Sequence, residues 1–163
     1  MIRSITLFTA LMAAPAFAQE TVGSMDGTLE GRQVSYIVID GDDVDTGWSE
    51  TDDGIEVILN ARPADSTGDD APLTVTFVAD AASRTAQVVR GDVTLTRDSD
   101  ELTATDDAIN LMLDSLEVQD DSLLVVGNLR ATMGESEADI SVASPAAITL
   151  SIDVQATVIR SDD

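Results

Sequence analysis

Ile148-Thr149-Leu150-Ser151-Ile152-Asp153-Val154-Gln155-Ala156-Thr157-Val158 is the stretch on which the fold turns. Ile148, Leu150, Ile152, Val154, Ala156 and Val158 are apolar, and hydroxyl, carboxylate and amide side chains alternate with them without a break. Successive side chains of an extended strand point to opposite faces, so a period of two predicts a strand with one face in a core and one in water. Its position near the end of the chain suggests an edge strand, a place where a partner can add a strand of its own.

The neighbouring segment, Leu123 to Met133, alternates in the same way, with Leu123, Val125, Leu129, Ala131 and Met133 on one face. Gly127 interrupts it and marks a bulge or a close approach of backbones. Further upstream, Asp106 to Leu116 fits two periods. Ile109, Met112, Leu113 and Leu116 share a helical face, which would give one short helix near 106–116. Ile109, Leu111 and Leu113 share a strand face that resumes at Leu116 and Val118 after a slip of one residue. The strand is the preferred reading, because it makes 109–118 and 123–133 a long hairpin closed at Asp120-Asp121-Ser122.

Val34 to Ile39, Gly54 to Asn60, Leu73 to Val78, Thr85 to Arg90 and Val93 to Thr96 also read as strands. Gly91-Asp92 between the last two is a candidate two-residue hairpin turn. Acidic doublets punctuate these runs: Asp42-Asp43, Asp52-Asp53, Asp69-Asp70, Asp106-Asp107 and Asp120-Asp121. Aspartate suits turns because its carboxylate bonds to backbone N–H groups just beyond it. The expected fold is therefore all-β, an antiparallel β-sandwich or small closed barrel of about eight to ten strands.

Residues 1–18 stand apart. Arg3 precedes an apolar run from Ile5 to Ala14, and Ala16-Phe17-Ala18 has the small-x-small form of a cleavage site. The run is short of the ~20 residues a membrane-spanning helix needs. The pattern predicts a secretory signal peptide cut after Ala18. It leaves one domain over 19–163, exported to a Gram-negative periplasm or beyond the cell. A membrane barrel is disfavoured, since aromatic girdles mark such barrels and only Tyr36, Trp48 and Phe77 are aromatic after residue 18.

After removal of the leader, seven arginines stand against 31 Asp and Glu, a net charge of −24. There is no lysine, histidine or cysteine. Nucleic acid is excluded as a partner, because phosphate binding needs clustered basic groups. Ser-His-Asp and Cys-His nucleophiles, Schiff-base chemistry and disulfides are excluded with the residues they require. Carboxylate chemistry survives, so a hydrolase built on two acids is one alternative. Calcium is another, since hard cations want oxygen ligands. The densest acidic stretch, Asp40 to Asp53, holds seven acids in fourteen residues. Within it Asp40, Asp42, Asp43 and Asp45 are the candidate Ca²⁺ ligands, although the spacing departs from that of an EF-hand. Trp48, in the same stretch, is expected to cover the edge of the core. The expectation with the broadest support is a non-catalytic protein with a binding or structural role. It needs no cofactor and meets cations or a basic protein, here through an edge at Ile148–Val158.

Overall fold

The computed structural model describes residues 19–65, 72–80, 86–97, 100–136, 139–140 and 146–161. Residues 1–18, expected to be a signal peptide, Thr85 and the doublet Asp69-Asp70 lie outside them. Ten strands follow in chain order: β1 (Glu20–Leu29), β2 (Arg32–Asp40), β3 (Gly47–Thr51), β4 (Gly54–Pro63), β5 (Leu73–Asp80), β6 (Gln87–Arg97), β7 (Asp100–Thr105), β8 (Ile109–Gln119), β9 (Ser122–Met133) and β10 (Ile148–Ile159). All pair antiparallel in one sheet ordered β7-β6-β5-β4-β2-β1-β10-β9-β8, with β3 also on β4. The sheet curls into a nearly closed barrel around one apolar cluster.

Closure depends on the chain changing partners between β7 and β8. β7 pairs with β6; a single 3-10 turn, Asp106–Ala108, then bends the chain, and β8 pairs with β9. Strands that cross from one part of a sheet to another at a bend form the corners of such barrels. Thr103 of β7 exchanges backbone hydrogen bonds of 3.0 and 3.1 Å with Gly134, just past β9. That bridge fastens one half of the seam.

β10 shows why alternation is a sound guide to a strand. Ile148, Leu150, Ile152, Val154, Ala156 and Val158 are all buried, whereas Thr149, Asp153, Gln155 and Thr157 are exposed. Its expected place at an edge is overturned. β10 lies between β1 and β9, pairing Gly23–Leu29 on one side and Ser122–Met133 on the other. A half-buried strand alternates identically at an edge or in mid-sheet, so the pattern carried no information about its neighbours.

The 109–133 hairpin forms as expected, turning at Asp120-Asp121, with Asp120 at a φ of 54° that aspartate tolerates better than most residues. The slip between Leu113 and Leu116 is a β-bulge. Leu113 pairs with Gly127 and Ser115 with Val126, which leaves Asp114 as the extra residue. Among the described residues helix is confined to the 3-10 turn ahead of β8. Gly127 is a close approach: a Cβ there would lie 2.5 Å from the Met112 carbonyl oxygen. The expected turn at Gly91-Asp92 is absent. β6 runs straight through, with Gly91 opposite Phe77 and Asp92 opposite Thr76. The strand bends instead at a bulge, where Arg90 pairs with Val78 but Val88 pairs with Ala79. A ladder that continues on β5 outweighs the local turn preference of Gly-Asp.

Inward side chains are apolar throughout, and Thr46 is the single polar residue among the buried ones described. On β1 and β10 the outward residues include Ser24, Asp26, Thr28, Thr149, Ser151, Asp153, Gln155 and Thr157, with Ile159 exposed at the end of β10. On these two strands the outer face is mainly polar, whereas a membrane barrel carries an apolar outer band. No described helix is long and apolar enough to cross a membrane.

The acids largely lack basic partners. Among the described residues Arg90, Arg97 and Arg160 make ion pairs, to Asp53, Glu56, Glu30 and Glu50. Asp26 stands directly across from Asp153, and Glu20 across from Asp40, an arrangement that costs stability when charges are alike. Melting temperature is therefore expected to rise as sodium chloride is increased from low to about molar concentration, where the screening length falls to about 3 Å. A flat or falling profile in calorimetry would show that the surplus charge is too dispersed to act.

Candidate binding cleft beneath the acidic loop

Asp40 closes β2, and its Oδ1 accepts a hydrogen bond from the Gly41 N–H at 2.8 Å. The chain then folds tightly. Val44 N–H donates to the Gly41 carbonyl and Thr46 N–H to that of Val44, each at 2.9 Å. Asp42 and Asp43 occupy the exposed tip of this turn and Asp45 its exposed return. Thr46 anchors the loop from below, where its Oγ1 accepts the Asn60 N–H at 3.1 Å. The four candidate calcium ligands are thus fixed on one loop. No group of three or more Asp and Glu among the described residues comes together as a metal site.

The loop does form one wall of a cleft of about 470 Å³. Asp43 and Asp45 line it together with Asn60 and Arg62 of β4 and Thr74 of β5, over Ile39 and Ile58. Alternation builds this arrangement. Leu59, Ala61, Leu73 and Val75 point into the barrel, so Ile58, Asn60, Arg62 and Thr74 point out. The Thr74 hydroxyl donates to Asn60 Oδ1 at 2.8 Å, fixing the carboxamide. Arg62 Nη1 donates to Gln19 Oε1 at 3.2 Å. Among the described residues Arg62 makes no ion pair within 4.0 Å although two carboxylates line the same cleft, and neither Asp43 nor Asp45 has a basic partner. Charges of both signs that do not pair with one another thus surround an open, partly apolar space.

A second cleft, of about 240 Å³, lies on the outer face of β4–β6 and reaches the 3-10 turn. Its arginine, Arg90, is already paired with Asp53 at 3.5 Å and Glu56 at 4.0 Å. That cleft offers less unsatisfied charge. Asp26 and Asp153, which a two-carboxylate hydrolase could use, lie outside both clefts. They are held by neutral donors, the Ser35 hydroxyl and, at 2.9 Å, Asn128 Nδ2.

Trp48 covers the core edge, as expected, and takes no part in the cleft. It is 1 % exposed. Its Nε1–H donates to the Asp121 carbonyl at 3.1 Å, an oxygen that also accepts the Arg160 N–H at 2.7 Å. The Arg160 guanidinium lies 4.9 Å from the ring centroid and reaches Glu50 at 3.2 Å. The sequence marked the acidic wall of the cleft. It could not mark Asn60, Arg62 and Thr74, because a lone polar residue on the outer face of a strand is what solvent exposure alone requires.

Comparison of the chain with known protein families, with curated proteins and with solved structures finds no match.

Proposed function

We propose that this is an exported, non-catalytic binding protein whose cleft takes a small amphoteric molecule. The observation that carries this reading is the coexistence of Arg62 with Asp43 and Asp45 around one cleft without an ion pair between them. An ammonium group would find the aspartates, a carboxylate would find Arg62, and an aliphatic body would lie over Ile39 and Ile58. The volume falls within the range of about 300–1,000 Å³ usual for small-ligand sites. Support for a non-catalytic role comes from residue chemistry: His, Cys and Lys are absent. The described core also holds no buried side-chain polar atom without a hydrogen-bond partner. The leader supports export, and the lack of basic clusters argues against nucleic acid and anionic membranes as partners.

Thermal-shift and calorimetric titrations with lysine, arginine and glycine betaine test the proposal on the mature chain. At least one is expected to raise the melting temperature. Arg62→Ala, and separately the double change Asp43→Asn with Asp45→Asn, should each weaken that response by about tenfold, the loss of one charge-assisted contact. These side chains are exposed, so the fold should persist. No response to any of the three, or a response unaffected by both variants, would remove the cleft from consideration.

A further inference from the structure

The two ends of the sheet are finished differently. β7 is fastened to the segment after β9 by the Thr103–Gly134 bridge. β8 pairs with β9 alone, and no described residue completes its other edge. β6 approaches β8 near Gly91, where the Ile109 side chain lies, yet no ladder joins the two strands. An unpaired edge presents a row of N–H and C=O groups able to accept another strand.

This edge also carries uncovered apolar surface. Met112 is 63 % exposed and Val118 47 %. Leu116, on the inward side after the bulge, is only partly buried. The bulge at Asp114 twists the strand without covering it.

Charge selects the occupant. Asp106, Asp107, Asp114, Glu117, Asp120 and Asp121 fall on or beside β8, and no basic residue occurs between Arg97 and Arg130. A second copy of this chain, which has no lysine, would set Asp114 and Glu117 against acids of its own kind. We propose that β8 receives an extended basic segment of another protein, which adds to the sheet as a further strand. Its apolar side chains would meet Leu116 and Val118, and its Lys or Arg side chains would meet Asp114 and Glu117. This interaction is independent of the small-molecule cleft, which contains no residue of β8.

Three synthetic peptides of eleven residues, the length of β8, test it. One alternates Lys and Val. The second has the same sequence with alternate backbone nitrogens methylated, so that charge is kept but one edge of donors is lost. The third replaces Lys by Glu. The first is expected to bind the mature protein and to protect amides of Ile109–Gln119 from hydrogen exchange. Binding should fall by about tenfold or more for each of the other two. The double variant Asp114→Asn, Glu117→Gln, both at exposed positions, should weaken the first peptide by about tenfold. Equal binding of the methylated peptide, protection confined to another strand, or no binding at all would each overturn the proposal.

Discussion

Trp48→Ala is expected to lower the unfolding free energy by about 3–5 kcal/mol, the usual cost of removing a large buried aromatic side chain. Against a total stability of about 5–15 kcal/mol for a domain, that is a large fraction. The size of the effect follows from what Trp48 joins. β2 leaves the sheet at Asp40, and β3 takes over beside β4 from Gly47 to Thr51. Trp48 then reaches the far side, where Ser161 N–H donates to its carbonyl at 2.9 Å and its ring nitrogen bonds Asp121. The indole therefore fills the barrel end where β4, the β8–β9 turn and the end of β10 meet. Removing it would leave a cavity and also an Asp121 carbonyl with one donor fewer. Trp48→Phe keeps most of the bulk but not the N–H, and should cost less, about 1–3 kcal/mol. Denaturant unfolding followed by circular dichroism measures both. A loss below about 1 kcal/mol for Trp48→Ala would show that the ring packs too loosely to act as a plug.

Gly27→Ala should be nearly as damaging, at about 3 kcal/mol, although it adds a single methyl group. Gly27 faces Ile152 across the β1–β10 ladder, and a Cβ there would lie 2.1 Å from the Ser151 carbonyl oxygen and 2.7 Å from the Ile152 Cα. Both obstacles are backbone, so neither can swing aside. The strands would have to separate at this pair. Gly31→Ala is the control. That residue lies in the β1–β2 turn, with nothing within 4 Å of its Cβ position but a φ of +76°. It should cost only the conformational penalty of about 1 kcal/mol. Equal effects at the two positions would show that loss of glycine flexibility, rather than crowding, sets the cost at Gly27.

These two sites also show where the sequence could and could not be read. Strands with intact alternation are legible to within a residue, as in β10, and even the slip within β8 corresponds to a real bulge. β1 was missed because its inward positions are Gly23, Met25 and Gly27, and two glycines erase the apolar half of the pattern. β3 and β7 were missed because they are short and polar, held by their neighbours rather than by their own propensity. The Gly91-Asp92 turn was misread because local turn chemistry was weighed without the ladder on β5. The four described acidic doublets all fall at turns or in the 3-10 segment, so local preference was a good guide there. The candidate cleft was half legible. Its acidic wall is contiguous in sequence, whereas Arg62, Asn60 and Thr74 come from two other strands and converge only through pairing.

The ladder between β1 and β10 also has a consequence in time. Most other pairings join consecutive strands, and β2 with β4 skips only one, so hairpins can form as soon as their two arms exist. β1 with β10 joins the beginning of the described chain to its end, from Gly23 with Ala156 to Leu29 with Leu150. A contact so distant in sequence carries a loop-closure cost and forms slowly. A chain emerging amino-terminus first, from a ribosome or through a narrow export channel, would carry β1 with one neighbour and Met25 without its cover until the final strand came free. The barrel would thus stay open while the chain emerges and lock only on release of the last strand.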